Sequence, residues 1–355
     1  MSTLYLKVDP RQPEPLVIAQ AANILRHGGL VAFPTETVYG LGANALDAQA
    51  VAGIFRAKGR PADNPLIVHI ANLEQLSLVA GELPARAKNL VNLFWPGPLT
   101  LVLPKNPQVP AEVTAGLDTV AIRMPSHPVA LALIQAAGVP LAAPSANRSG
   151  APSPTTAGHV IADLDGRIHA VVDGGPAYIG LESTVLDLAA DPPLVLRPGG
   201  VTVEQLEDAL QGPVAYEPAL SQLEQNLIPR SPGMKYTHYA PQGEVFLVSG
   251  SPEAVREKVQ RLLSQAKEHG QIAAVLSSKE NLAWYQSQEP MADLLINLGP
   301  RSALDLVAQN LYGALRACDE AKAAMVLVEA FPATGLGLAV MNRLYKAASC
   351  RMIEA

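Results

Sequence analysis

The chain has 355 residues, 49% hydrophobic and 16% charged, with a formal net charge of −6. That length and core content suit two soluble globular domains rather than one. Neither half carries the basic excess expected of a dedicated nucleic-acid binder, because residues 1–210 hold 13 Lys+Arg against 18 Asp+Glu and residues 211–355 hold 13 against 14, although net charge leaves room for local positive clefts. No apolar run reaches membrane-spanning length, and the N-terminus lacks a signal-peptide pattern, so no membrane partner and a cytoplasmic location are expected. Cys318 and Cys350 stand far from any C-x-x-C spacing, which implies neither a disulfide framework nor a zinc site.

In chain order, Leu16 to Arg26 has helical spacing and stops at Gly28-Gly29. Gly29-Leu-Val-Ala32 predicts a short buried strand that breaks at Pro34 into Thr35-Glu-Thr-Val-Tyr-Gly-Leu-Gly42. Hydroxyls and free backbone N–H groups at a strand end suit a small polar or anionic ligand. Gln49–Ala57 predicts a helix that delivers Lys58-Gly-Arg-Pro61, and Pro65–Ile70 a strand. Helices follow at Leu73–Val79 and Ala85–Phe94, and strands at Leu99–Leu103 and Thr119–Arg123. A helix over Pro128–Ala137 precedes a strand at Val139–Ala143, which runs into Pro144-Ser-Ala-Asn-Arg-Ser-Gly150. Strands are expected at His169–Val172, Ser183–Leu188 and Leu194–Leu196, and Thr202-Val-Glu-Gln205 is a capping box opening a helix. The alternation indicates an α/β domain with a mixed sheet over residues 1–210.

Twenty-seven of the 31 prolines lie at or before Pro241, so the last part has few fixed turns. Residues 211–243 form a linker ending in Ser231-Pro-Gly-Met-Lys-Tyr-Thr-His-Tyr-Ala-Pro241. Its rings at Tyr236, His238 and Tyr239, set among turn formers, predict a lid that folds over the first domain. The alternative is a static clamp. Residues 244–355 alternate strand and helix: strands at Glu244–Val248, Ile272–Leu276 and Met325–Val328, helices at Pro252–Lys267, Ala303–Ala317 and Gly337–Ala348. That pattern predicts a small βαβ domain with a parallel sheet.

Lys58, Arg60, Arg123 and Arg197 all stand within two residues of Gly or Pro. Cations on rigid turns give fixed donors with room for close backbone approach, as phosphate binding needs. The common nucleotide motifs are missing: there is no G-x-x-x-x-G-K-[ST]. Gly40-Leu-Gly-Ala-Asn-Ala45 matches G-x-G-x-x-A, but Pro34-Thr-Glu-Thr separates the strand from those glycines, against a dinucleotide fold. The histidines show no metal-ligand spacing, and Ser145 and Ser149 lack a nucleophile elbow. His69, ending a strand, is either a core histidine or a ligand contact.

Pro34-Thr-Glu-Thr-Val-Tyr-Gly40, Lys58-Gly-Arg-Pro61 with Asn64-Pro-Leu66, Pro144-Ser-Ala-Asn147, Ser183-Thr-Val185 and Arg197-Pro-Gly199 resemble the motif set of the YrdC-like domain family. The linker and C-terminal part resemble the two-domain L-threonylcarbamoyladenylate synthases. The resemblance implies a twisted mixed sheet with a concave active site and a small Rossmann-like α/β C-terminal domain. It implies synthesis of L-threonylcarbamoyl-AMP from L-threonine, bicarbonate and ATP, with Mg²⁺ as helper and no protein metal site. The product would pass to a downstream threonylcarbamoyl transferase complex acting on tRNA, and direct contact with tRNA stays open. By the same resemblance, Lys58 and Arg60 are the catalytic cations. ATP would meet them together with Asn64, Thr119, Ser145, Asn147, Ser153, Arg197 and the lid residues Tyr236, His238 and Tyr239. L-threonine would lie among Thr35 or Thr37, His69, Arg123, Ala143 and Ser183. A non-catalytic RNA-binding module is the competing reading from another class. A YrdC-like domain serving a different carbamoyl acceptor is the third.

Overall fold

A computed structural model of the chain describes residues 2–216 and 239–355. Two compact units are present: Met1–Ser149 with Ser153–Tyr236, and Gly150–Pro152 with Thr237–Ala355.

The first unit opens with β1 (Leu4–Lys7), α1 (Pro15–Arg26), β2 (Val31–Phe33) and β3 (Gly40–Asn44). It continues through α2 (Ala48–Lys58), β4 (Ile67–His69), α3 (Leu76–Val79), α4 (Ala85–Phe94), β5 (Leu99–Pro104), α5 (Ala111–Thr114) and β6 (Thr119–Arg123). Then come α6 (Pro128–Ala137), β7 (Leu141–Ala142), α7 (Ala157–Leu164), β8 (Ala170–Asp173), β9 (Thr184–Asp187), β10 (Leu194–Arg197), α8 (Val203–Leu210) and β11 (Ala215–Tyr216). The strands form one 11-stranded mixed sheet in the order β1-β8-β2-β3-β7-β4-β6-β5-β9-β10-β11. One layer of core holds Leu41, Ile54, Leu66, Leu90, Leu99 and Val171. Another holds Leu25, Val31, Phe33, Leu133 and Ile134, where α1 and α6 pack. Apolar faces on both sides of the sheet explain why its strands read as short continuous apolar runs.

Three differences from the sequence expectation matter. Gly40–Asn44 is a strand antiparallel to β2, with Gly42 opposite Val31. A Cβ on Gly42 would meet the Phe33 ring at 2.8 Å, so this glycine serves a close strand contact and not a nucleotide-binding turn. Lys58 is not in a loop: it is the last residue of α2, buried, and Gly59 ends the helix in the left-handed region (φ +62°). Strands β1, β3 and β11 and helices α5 and α7 have no counterpart in the sequence-based elements.

The second unit runs β12 (Glu244–Ser249), α9 (Pro252–Glu268), β13 (Ala273–Ser278), α10 (Lys279–Gln286), β14 (Leu294–Gly299), α11 (Leu304–Glu320), β15 (Met325–Glu329), α12 (Leu336–Ala347) and β16 (Met352–Glu354). Its five strands pair in parallel in the order β14-β13-β15-β12-β16, as the βαβ pattern predicts. Strands β14 and β16 and helix α10 are additional to that prediction. Val255, Val259 and Leu263 of α9 bury against Val275 and Leu327 of the sheet. No helix is long and apolar enough to cross a membrane among the described residues.

Candidate active site

The polar residues of the first unit gather where neighbouring strands end. Thr35 and Thr37 lie in the turn between β2 and β3, and both are buried. Thr35 Oγ1 closes its own turn: it donates to the Val38 carbonyl at 2.6 Å and accepts from the backbone N–H groups of Thr37 and Val38. Thr37 Oγ1 faces across the sheet and accepts from Arg123 Nη1 at 2.9 Å. Thr37 is therefore the hydroxyl that shares Arg123, and Thr35 shapes the turn. The two hydroxyls meet at 2.8 Å.

Arg123 ends β6 and His69 ends the parallel strand β4, directly paired in register. Arg123 is 3% exposed; its Nε donates to the Gly97 carbonyl at 3.1 Å and its Nη2 lies 2.5 Å from Glu36 Oε1. Glu36 is fully buried, and that contact lacks hydrogen-bond geometry, so both of its carboxylate oxygens and Arg123 Nη2 have no hydrogen-bond partner among the described residues. The sequence reading missed Glu36. Its signal was present: a carboxylate inside Thr-Glu-Thr, between two apolar strands, needs a cation. His69 is pushed down to about 3 by burial first and by the Arg123 charge second. It is a neutral ring, set edge-on to Phe33 at 6.2 Å.

Ser183 and Arg197 form a second node. Arg197 Nη2 donates to the Ser183 hydroxyl at 3.1 Å and to its carbonyl at 3.0 Å, and Thr100 Oγ1 meets Ser183 Oγ at 2.7 Å. The two motifs touch because Gly199 has no side chain: a Cβ there would sit 2.3 Å from the Glu182 carbonyl and the Thr184 nitrogen. Ser153 Oγ donates to Glu182 Oε1 at 2.6 Å, wholly buried.

Lys58 builds the third node. Its Nζ donates to the carbonyls of Ser145 and Asn147 at 2.5 and 2.6 Å. Ser145 Oγ donates to Asn147 Oδ1 at 2.5 Å, and Ser145 bridges back to Gly40 of β3. A lysine drawing two carbonyls together fixes the loop after β7. Ala143, just before that loop, is buried and its N–H donates to Ile67. Arg60 Nη2 donates to the Asn64 carbonyl at 3.1 Å, while both amide atoms of the fully buried Asn64 side chain have no partner among the described residues. Thr119 begins β6 at the strand end opposite Arg123, half-buried and paired with Pro104. Arg60, Asn64 and Thr119 make no contact with the Thr37–Arg123 node among the bonds described above.

Tyr236 and His238 lie outside the described residues. Tyr239 is placed in the second unit, 6% exposed, its ring 5.4 Å from Tyr312 and covered by the Arg343 guanidinium at 5.4 Å. No grouping of three His, Cys, Asp or Glu side chains could hold a metal ion among the described residues.

Residues 23–199 match a family model described as "Telomere recombination", covering Sua5, YciO and YrdC, and residues 201–349 match "Threonylcarbamoyl-AMP synthase, C-terminal domain". A threonylcarbamoyl-AMP synthase of Bacillus subtilis is 55% identical over 95% of this chain and 94% of its own length. One from Schizosaccharomyces pombe is 43% identical over 94% and 88%. The crystal structure of P. abyssi Sua5 complexed with L-threonine superposes with a TM-score of 0.93 at 49% identity, over 99% of this chain and all of that one. The chain belongs to the two-domain threonylcarbamoyl-AMP synthase family.

Proposed function

We propose that the protein makes L-threonylcarbamoyl-AMP from L-threonine, bicarbonate and ATP and releases pyrophosphate, for threonylcarbamoyladenosine modification of tRNA. The observation that carries this reading is the buried arrangement of Thr37, Arg123, His69, Ser183 and Arg197 in a chain that matches these synthases along nearly its whole length.

The chemistry needs little covalent help from the protein. The threonine amine adds to the carbon of bicarbonate with loss of water, giving a carbamate. A carbamate oxygen attacks the α-phosphorus of ATP, and the bond to the bridging oxygen breaks to release pyrophosphate. Positioning and charge stabilisation are therefore the main tasks. Arg123 would take the threonine carboxylate, with Thr37 beside it and Glu36 behind it. His69 stays neutral, so it shapes the pocket without competing for that carboxylate. Arg197, oriented by Ser183, and the Lys58–Ser145–Asn147 loop would hold the phosphates, with Arg60, Asn64, Thr119 and Ser153 completing the nucleotide site. The unpartnered Asn64 amide supports that placement, because a buried amide without partners costs about 1–3 kcal/mol until a ligand satisfies it. Mg²⁺ fits as an ion carried on the ATP phosphates, since phosphate and water oxygens are its usual ligands. Tyr236 and His238 belong to the same proposal as nucleotide contacts, while the Tyr239 ring is already engaged by Tyr312 and Arg343. The product is a reactive mixed anhydride, which a transferase acting on tRNA adenosine would consume.

The test is pyrophosphate release from ATP by the full chain. Release is expected only when L-threonine and bicarbonate are both present. Equal release without threonine overturns the assignment.

A further inference from the structure

On the first unit, a groove of about 340 Å³ is lined by Gly28, Leu30, Gln49, Gly53, Arg56, Ala57, Arg167 and His169. None of these residues has a task in the reaction above. Gln49, Gly53 and Arg56 recur at steps of four and three along α2, so they share one helix face. Arg56 and Lys58 are two positions apart, so they leave the helix on well-separated sides.

We propose that this groove binds a phosphoryl group. Three donors converge on it. Arg56 and Arg167 are exposed, and neither forms an ion pair with a described residue; Arg167 Nη1 leans on the Ala57 carbonyl at 3.5 Å. His169 Nδ1 accepts the Leu30 backbone N–H at 2.9 Å. With Nδ1 accepting, Nε2–H is the ring's donor. Gly53 gives the groove a floor without a side chain, and a Cβ built there meets Leu30 at 3.5 Å and Arg56 at 3.8 Å. Asp47, near the Gly28 end, already caps α2 by accepting from Gln49 and Ala50. Two guanidiniums and an imidazole N–H around an open glycine suit phosphate oxygens, since forked donors match that geometry. In a half-chain with five more acidic than basic residues (18 against 13), two unpaired arginines at one groove are a local inversion of charge. The phosphoryl group could belong to a free polyphosphate anion or to a polynucleotide backbone.

The experiment uses the full chain, an R56Q/R167Q variant and, separately, Gly53→Glu, which fills the groove and lowers its positive charge. Binding of inorganic pyrophosphate and of a short single-stranded oligouridylate is measured across a salt series, alongside turnover. Both variants are expected to keep turnover while losing roughly tenfold or more in affinity for one probe. Loss confined to pyrophosphate identifies a free anion. For the oligonucleotide, the slope of log affinity against log salt should become shallower by about 1.4, the value for two single-strand phosphate contacts. Unchanged affinity for both probes overturns the proposal. So does turnover that falls in step with binding, which would make the groove part of the catalytic site. Absent pyrophosphate production by the wild type would sink the functional reading and leave this one standing.

Discussion

Glu36 in the first unit and Glu329 in the second are both completely buried carboxylates, and the two are treated differently. Glu329, at the end of β15 in the second unit, accepts from the Ser278 N–H at 3.2 Å and the Asn281 amide at 3.0 Å, with Ser277 Oγ at 3.4 Å and Arg301 Nη1 at 3.6 Å. Tyr285 beside it has its phenol pushed far up, by burial first and then by the Glu329 charge. This carboxylate is saturated, and it ties β13, α10 and β15 together. Glu36 in the first unit has only the Arg123 charge and no hydrogen bond among the described residues. A saturated carboxylate holds a fold together. An unsaturated one beside a buried arginine keeps that arginine's charge in place while leaving donor capacity for something else.

By that contrast, Glu36→Ala should be the most damaging of these changes. It strands a buried guanidinium, and breaking such a pair costs about 3–5 kcal/mol. Denaturant titration checks this, and a loss near zero would mean that Arg123 finds another partner. Lys58→Ala comes next, with turnover down roughly 10²-fold or more, the scale of one charge-stabilising donor. Stability should fall too, because the carbonyls of Ser145 and Asn147 lose their shared donor. Turnover and melting measured on the same preparation separate the two effects. Glu329→Gln should destabilise by about 1–3 kcal/mol, the penalty for disturbing a buried hydrogen-bonded group, with KM for threonine and for ATP unchanged. A shift in either KM would mean that the saturated carboxylate also serves catalysis.

How much of this was open to reading depends on distance along the chain. The glycine- and proline-flanked cations and the strand ends that hand over to Thr35, Ser145 and Arg197 were visible, because local patterns encode them. Glu36 was in plain view too, but its meaning depends on Arg123, 87 positions later, which only the sheet order β2-β3-β7-β4-β6 brings near it. Strand β3 escaped because Gly40 and Gly42 carry turn propensity. Tertiary contact with Phe33 overrides it. Lys58 looked like a loop residue because Gly59 follows it, whereas the helix runs one residue further and buries it. Saturation of Glu329 was illegible for the same reason as Glu36: its partners arrive from β13 and α10, about 50 residues earlier in the chain.

Smaller effects sharpen the same contrast. The depressed pKa of His69, about 3 against an ordinary value near 6.5, makes folding favour its neutral form. Stability from this group is complete above pH 6.5 and is lost as pH falls from there towards 3, because the unfolded chain then takes up a proton that the folded one refuses. At pH 5.5 the loss is about 1.4 kcal/mol, and His69→Gln should flatten that slope in denaturant titrations at pH 5.5 and 7.5.

The most direct test of the central claim, that Arg123 held by Glu36 receives the substrate carboxylate, is calorimetry with two ligands. L-threonine is compared with threoninol, in which CH₂OH replaces the carboxylate, on the wild type and on Arg123→Lys. The wild type should favour L-threonine by roughly 10-fold or more, a charge-assisted pair being worth about 1.5–3 kcal/mol. Arg123→Lys keeps the charge but loses the planar fork, and should shrink that preference several-fold. Equal affinity of the wild type for L-threonine and threoninol would contradict the account.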